Sequence, residues 1–410
     1  MTNKKNLQLL SMTLILGFAS GLPLALSTGT LQAWLTIEGV DLKTLGWLSL
    51  VGLPYTYKFA WAPAIDRYRL PFDFAGRRRG WLVFFLVAMA VVLLLISQTI
   101  PSDENGIFRI ALLALLLALF SASFDVVFDA WRAESLSKQL LGLGAAWSVI
   151  GYRIAMLTSG GLALLLADFY LGFSGVYKLL ALICLILAVL AAFSPEPSNS
   201  KPPTTLLKAV IEPFKEFFGR KGSILILLII IMYKLGDAFT VSLSTAFLIR
   251  GAGFSPAEVG AVSKGAGLAA TLFGGLFGGL ILTKFSLIRC LLFFGILQAI
   301  TNLGFLWLAT YKTDLFGMGI VIVLENLAGG MGTAAFVALL MTLCDSRFTA
   351  TQFALLSALS SIGRVFIGPV AGGISYEYGW QVFFALSFVI AIPGIIMLYW
   401  LKKPLQNMRE

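Results

Sequence analysis

Apolar residues run in blocks of about twenty, separated by short polar breaks, from one end of the chain to the other. LSMTLILGFASGLPLALS (10–27), WLVFFLVAMAVVLLLIS (81–97), IALLALLLALF (110–120) and YKLLALICLILAVLAAF (177–193) show the pattern. The blocks do not alternate with period two, and at a rise of ~1.5 Å per residue each is long enough as a helix to cross a hydrocarbon core of ~30 Å. The pattern predicts twelve spans, at about 8–35, 44–63, 80–99, 108–130, 143–166, 177–193, 222–249, 257–283, 286–309, 315–343, 350–374 and 379–401. The start, MTNKKNLQLLSMTLILGFASGL, mimics a signal peptide, but apolarity continues to Trp34 without a small-x-small cleavage site, which favours a first span.

Composition agrees. The 410 residues are 59% hydrophobic and only 12% charged, about half the charge share of a soluble protein. The expected fold class is an all-α polytopic membrane protein with no room for a soluble domain. Cys184, Cys290 and Cys344 lie in or at the edge of apolar blocks and share no motif, so they read as packing residues. Histidine is absent from the sequence, which removes the commonest metal ligand and the usual neutral-pH base. No nucleophile–base pair, metal set or phosphate loop is visible, so neither an enzyme nor a bound cofactor is expected.

A net charge of +10 invites a nucleic-acid reading, which topology displaces. Twenty Lys and Arg residues fall in loops on the side of the N-terminus and five on the other side. The positive-inside rule then makes both termini cytoplasmic. The longest loop, residues 194–221, begins Pro/Ser-rich as a linker, and Leu206–Phe218 has the pattern of a short amphipathic helix on the inner surface. It separates a six-span half at 1–193 from another at 222–410. SVIGYRIAMLTSGG (148–161) and SSIGRVFIGPVAGG (360–373) match at a constant offset of 212, and GVDLKTLGWLS (39–49) parallels GFSPAEVGAVS (253–263). Six spans repeated in the same orientation is the parallel duplication of the major facilitator fold.

Ten ionisable residues fall inside spans or at their inner edge: Lys58, Asp66, Asp125, Asp129, Arg153, Lys234, Asp237, Lys264, Glu325 and Arg364. Apart from Lys178 and Arg289 at their ends, spans 3, 6, 9 and 12 hold none. Intramembrane charge survives where it faces a partner or a cavity, so those four spans are peripheral and the others interior. Asp125 and Asp129, at i and i+4 in SASFDVVFDAWR, share a face of span 4. Asp125 lies deeper and is the leading proton carrier, or else it pairs with Arg153 or Lys58; Asp129 lies near the inner interface. Glu325 on span 10 is a further proton carrier, with Asn326 beside it. Lys234 and Asp237 on span 7 form an ion pair, or Lys234 holds a cargo carboxylate near the midplane. Arg153 and Arg364 occupy nearly equivalent places in the two halves, where each grips an anion or pairs with a carboxylate. Gln32, Trp34, Tyr152 and Tyr233 offer amide and aromatic groups for a sugar, although Trp34 also suits an outer aromatic belt. Lys58, Asp66, Arg67, Asp237 and Lys264 read as structural or gating charges; Asp66-Arg67 with Arg77-Arg78-Arg79 resembles, loosely, the facilitator loop that closes an inner gate.

The whole chain resembles the AmpG-type muropeptide permeases of the major facilitator superfamily. The carrying stretches are LILGFASGLPLALSTGTLQAW (14–34), SASFDVVFDAWR (121–132), YKLGDAF (233–239), FLIRGAGF (247–254), ENLAGGMGTAAFVALLMTLC (325–344) and TQFALLSALSSIGRVFIGPVAG (351–372). The resemblance implies proton-driven import, across a bacterial inner membrane, of disaccharide-anhydromuropeptides (N-acetylglucosamine joined to peptide-bearing anhydro-N-acetylmuramic acid) for cell-wall recycling. It also implies a link to β-lactamase induction, partners limited to cargo, protons and lipid, and function as a monomer. Longer members carry extra C-terminal spans, which the resemblance implies the core fold does not need. Related members import other bulky amphipathic anions, acyl-CoA-like or siderophore-like, so the class is fixed better than the ligand. Drug efflux and a non-transporting receptor or scaffold stand as rival functions.

Overall fold

A computed structural model describes residues 2–68, 70, 76–136, 140–197, 215–220, 222–311, 314–343 and 349–400. Among these residues the regular structure is helical, and nine helices are long and apolar enough to cross a membrane. Two of the nine, Trp147–Ala192 and Leu355–Trp400, are 46 residues long, twice what one crossing needs. Each reverses at a glycine of positive φ, Gly172 (+63°) and Gly379 (+79°), a conformation that a Cβ would disfavour. Each therefore holds two predicted spans.

The second span departs from the expected continuous helix. It is a chain of short pieces, Leu42–Trp47, Leu48–Gly52, Leu53–Tyr57, Lys58–Ala60 and Ala62–Arg67. Gly46, Gly52 and Pro54 break it: glycine weakens a helix interior, while proline lacks the N–H and its ring crowds the preceding turn. The named helices are α1 (Thr2–Ser27), α2 (Leu42–Trp47), α3 (Arg77–Gln98), α4 (Gly106–Ser135), α5 (Leu141–Met156), α6 (Gly172–Ala192), α7 (Ser223–Ser242), α8 (Gly267–Lys284), α9 (Leu287–Thr310), α10 (Leu315–Leu343) and α11 (Thr349–Trp400, bent at Gly379). Of the expected surface helix over Leu206–Phe218, residues 206–214 lie outside the described residues; residues 215–219 are helical.

The chain divides into two compact units, Met1–Glu38 with Val51–Thr204, and Gly39–Leu50 with Thr205–Glu410. In the first, α1 packs on α4 and α5, and α3 on α4 and α6. Lipid removes the hydrophobic drive between spans, so close approach through small residues and polar contacts must hold them. The α1–α5 seam is built that way. A Cβ on Gly17 would stand 2.5 Å from the Ser148 carbonyl oxygen, and one on Gly21 2.6 Å from that of Tyr152. Phe124, Trp131 and Tyr177 fill the core, and the Tyr177 hydroxyl donates to the Leu26 carbonyl at 2.7 Å.

In the second unit α7 packs on α11, α8 on α10, and α9 on both α10 and α11. Gly274 and Gly278 bring α8 onto α10, where a Cβ on Gly278 would lie 2.8 Å from the Met331 Cα. The same device seats α2 on α11. A Cβ on Gly46 would be 2.8 Å from the Gly372 Cα, and the Ser49 hydroxyl donates to the Val365 carbonyl at 2.7 Å. Cys184 and Cys290 are buried and free, and Cys344 lies outside the described residues.

Candidate functional site

Because α1 lies against α4, Ser20 faces Asp125 and donates a hydrogen bond to its carboxylate at 2.5 Å. Lys58, on the broken second span, stands 4.0 Å from the other carboxylate oxygen. Trp61 ties that span to α4 by donating to the Ser123 hydroxyl at 2.9 Å. Of the two cations offered for Asp125, Lys58 is its ionic neighbour. Asp129, one turn on, is more open, with 56% of its side chain exposed, and Arg132 holds it at 3.0 Å. Arg132 also donates to the Ser148 hydroxyl at 3.0 Å and lies over the Phe128 ring.

These groups border a cavity of ≈ 250 Å³. It is lined by Ser20 of α1, by Asp125, Phe128 and Asp129 of α4, and by Ser148, Tyr152 and Arg153 of α5. The sequence-predicted residues Asp125, Asp129, Tyr152 and Arg153 are thus brought together around one space. Gln32 stays outside it, half-buried in the helix Gly29–Ile37. Trp34 is withdrawn altogether: only 4% exposed, it lies among Phe173 and Tyr177 and donates to the Glu38 carboxylate at 3.2 Å. That burial removes its indole from both roles offered for it, sugar contact and outer belt.

The second unit carries a separate polar cluster. Lys234 contacts Asp237 at 3.4 Å and the Thr333 hydroxyl at 3.2 Å, with its ammonium over the Phe336 ring. Glu325 is buried on α10 and accepts from the Asn326 amide at 2.8 Å. Lys264, Lys234 and Asp237 are near enough to act on it electrostatically. Asn326 also donates to the Ile322 carbonyl at 2.9 Å and accepts from Thr271 at 2.9 Å. Lys264 sits in a π-helical stretch, Gly260–Ala266, a local irregularity of the kind that recurs at functional sites. Tyr233 is 7% exposed, stacks on Phe336 and donates to the Leu291 carbonyl at 3.1 Å, so it belongs to the packed core. Arg364 is exposed on α11.

The arginine run after the second span is more than surface charge. Arg77 and Arg78 are buried at the start of α3, and Glu134 at the end of α4 meets Arg78 at 2.6 Å and Arg77 at 3.4 Å. Glu196, beyond α6, accepts from the backbone amides of Arg78 and Arg79 at 2.9 and 3.0 Å, which caps the helix N-terminus with a carboxylate. Asp66 and Arg67, expected in the same motif, have side chains outside the described residues. Sequence reasoning missed Ser20, Thr271, Thr333, Glu134 and Glu196. Ser20 had a usable signal, because it adjoins Gly21 on the close-packed face of α1.

Residues 9–366 match the family model of the Major Facilitator Superfamily. The chain belongs to the Major Facilitator Superfamily. It is 51% identical over 397 residues to the anhydromuropeptide permease of Escherichia coli (strain K12), covering 97% of this chain and 80% of the relative. It is 33% identical over 399 residues to the putative transporter AmpG 4 of Rickettsia felis, covering 95% of each. Among solved structures, a bacterial homologue of the human lysosomal transporter Spinster superposes with a TM-score of 0.74 at 14% identity, over 100% of this chain and 98% of the other. A D-xylose–proton symporter superposes at 0.71 and 11% identity, over 96% and 97%. At such identities these two establish the fold alone: the facilitator architecture of two six-helix halves.

Proposed function

We propose that the chain is a secondary transporter that carries disaccharide-anhydromuropeptides from periplasm to cytoplasm across a bacterial inner membrane, driven by protons. The observation that carries the substrate is the 51% identity, over 97% of this chain, to a protein named for anhydromuropeptide transport. Orientation rests on the twenty-to-five distribution of Lys and Arg, which favours both termini inside.

Proton coupling rests on energetics and chemistry. An inside-negative potential opposes entry of an anion by about 2.3 kcal/mol per charge per 100 mV. Co-transport of protons exceeding the cargo's negative charge reverses that sign. Asp125 supports the reading as a carboxylate with one hydroxyl donor, one distant ammonium and a cavity in front of it. Asp129 and Glu325 are secondary carriers in the same scheme. Arg153, Lys234 and Arg364 supply positive charge to the cargo, with Gln32, Tyr152 and Asn326 as its neutral polar contacts. Lys58, Asp237 and Lys264 balance the acidic groups. The protein is proposed to work as a monomer.

The test is uptake of radiolabelled N-acetylglucosaminyl-anhydromuramyl tetrapeptide into proteoliposomes. Accumulation that follows an imposed proton gradient, acidic outside, is expected. Uptake that only equilibrates, whether or not the gradient is present, removes the coupling while leaving the substrate. No uptake of this compound alongside uptake of another amphipathic anion moves the protein to a different cargo.

A further inference from the structure

Around the first unit's cavity the charges pair off with one remainder. Asp125 faces Lys58 and Asp129 faces Arg132. Arg153, which lines the cavity from α5, has no ionic partner among the described residues; its guanidinium reaches only the Met156 sulfur, at 3.9 Å. Its Nε is buried and bears no hydrogen bond. A buried donor left unsatisfied costs about 1–3 kcal/mol, a cost that a ligand relieves on arrival. The guanidinium fork matches a carboxylate better than any other common group.

We infer that Arg153 is the subsite for a carboxylate of the cargo, and that seating this carboxylate next to Asp125 makes cargo and proton bind together. The inference rests on the muropeptide reading above and deepens it. A cavity of ≈ 250 Å³ is smaller than the ~300–1,000 Å³ that encloses a whole drug-sized ligand, so it receives one carboxylate-bearing end of the cargo. Two carboxyl groups sharing a small site do not both remain charged, and the proton is kept between them. The groups around Asp125 are Ser20 from α1, Tyr55 and Lys58 from the second span and Asp129 from its own helix, and Tyr152 and Arg153 line the same cavity from α5. Lys58 balances Asp125 before the cargo arrives. The arriving anion cancels the positive charge of Arg153 and sets a second carboxylate in the same small cavity, so Asp125 takes a proton more readily with cargo bound than without it. Linkage makes the effect mutual: a protonated Asp125 tightens cargo binding by the same factor, of a size roughly 5–150-fold in known couplings.

The experiment is calorimetric titration of the full chain in lipid nanodiscs with N-acetylglucosaminyl-anhydromuramyl tetrapeptide. It is run in two buffers of different ionisation enthalpy, and the peptide with its carboxylates amidated is run beside it. Wild type is expected to take up between half a proton and one per cargo bound. Asp125→Asn is expected to bind cargo with no proton uptake. Arg153→Gln is expected to weaken binding of the free acid 10- to 100-fold, to match wild type for the amide, and to lose proton uptake; Arg153→Lys restores part of the affinity. Equal heats in both buffers for wild type, or unchanged free-acid affinity in a folded Arg153→Gln protein, overturns the inference and leaves the transporter reading intact. If Arg153→Gln does not fold, the acid–amide difference on wild type decides, and equal affinities overturn it. Wild type that binds neither compound removes the substrate reading, and this inference with it.

Discussion

The Ser20 hydroxyl donates to the Asp125 carboxylate at 2.5 Å, from one helix to another across the α1–α4 contact. Asp125 is 18% exposed, so this one short bond and the Lys58 ammonium at 4.0 Å do most of what water would otherwise do for it. Asp125→Asn is expected to abolish gradient-driven accumulation in proteoliposomes while cargo exchange between equal pools persists. Ser20→Ala removes the donor but not the carboxylate, so uptake should fall several-fold and its pH profile should move. Ser20→Thr, which keeps the hydroxyl, should recover most of the rate. Accumulation unchanged in Asp125→Asn removes that residue from the coupling.

Neighbouring glycines on α8 offer a controlled comparison. Gly278 presses against the Met331 Cα, and Gly274 against the backbone of Leu327, whereas Gly275 and Gly279 have open space where a Cβ would go. Alanine at 274 or 278 has to push α8 off α10 and, with it, Thr271 off Asn326. Those variants should unfold at clearly lower temperature in detergent, overpacking typically costing about 1–3 kcal/mol. Alanine at 275 or 279 relieves a backbone-entropy penalty of about 1 kcal/mol and should be neutral or mildly stabilising. Equal behaviour of all four would show that the α8–α10 contact does not depend on close approach.

Much of this architecture was readable from the chain because a bilayer permits few solutions. Long apolar blocks must be helices, and charges within them must find partners, which is why spans with charge in their interior sort from the sequence apart from those without it. The pairing of Lys234 with Asp237 was readable for the same reason, since i and i+3 meet on any helix. Partners between helices were not. Asp125 had two cationic candidates, Arg153 and Lys58, and only the packing of the helices leaves Lys58 as the one in contact. The place of Trp34 was not legible, because composition does not distinguish an aromatic facing a cavity from one facing Phe173. The broken second span was foreshadowed by its own Gly and Pro residues, which an apolarity window averages away.

The placement of Trp34 and Tyr233 separates packing from binding. Both are buried and hydrogen-bonded to protein, Trp34 to Glu38 and Tyr233 to the Leu291 carbonyl. Trp34→Ala opens a cavity and should cost about 3–5 kcal/mol of stability, seen as reduced yield and a lower unfolding temperature. Tyr233→Phe keeps the stacked ring on Phe336 and should cost only about 1–2 kcal/mol for the lost donor. In whatever fraction folds, cargo affinity measured by calorimetry should stay within about twofold of wild type. A tenfold loss of affinity in folded Tyr233→Phe would return that hydroxyl to the cargo site.

Arg78 and Glu134 form an ion pair at 2.6 Å, with only 4% of the arginine side chain exposed. Glu134 also meets Arg77, so one carboxylate serves two buried guanidiniums at the start of α3. The gain from a buried pair over an apolar replacement is small, but removing one partner strands a charge and typically costs about 3–5 kcal/mol. Glu134→Gln should therefore destabilise far more than Glu216→Gln, whose arginine partner Arg220 keeps a second bond to the Leu343 carbonyl at 2.6 Å and is more exposed. Glu196→Gln keeps an acceptor for the Arg78 and Arg79 amides but loses the charge that favours a helix N-terminus, and should cost about 0.3–1 kcal/mol. A double-mutant cycle on Arg78 and Glu134, read by thermal unfolding in detergent, should return a coupling well above the roughly 0–1 kcal/mol of an exposed pair. Coupling no larger than that would make the arginine run a charge that only orients the chain, with no part in joining α3 to α4.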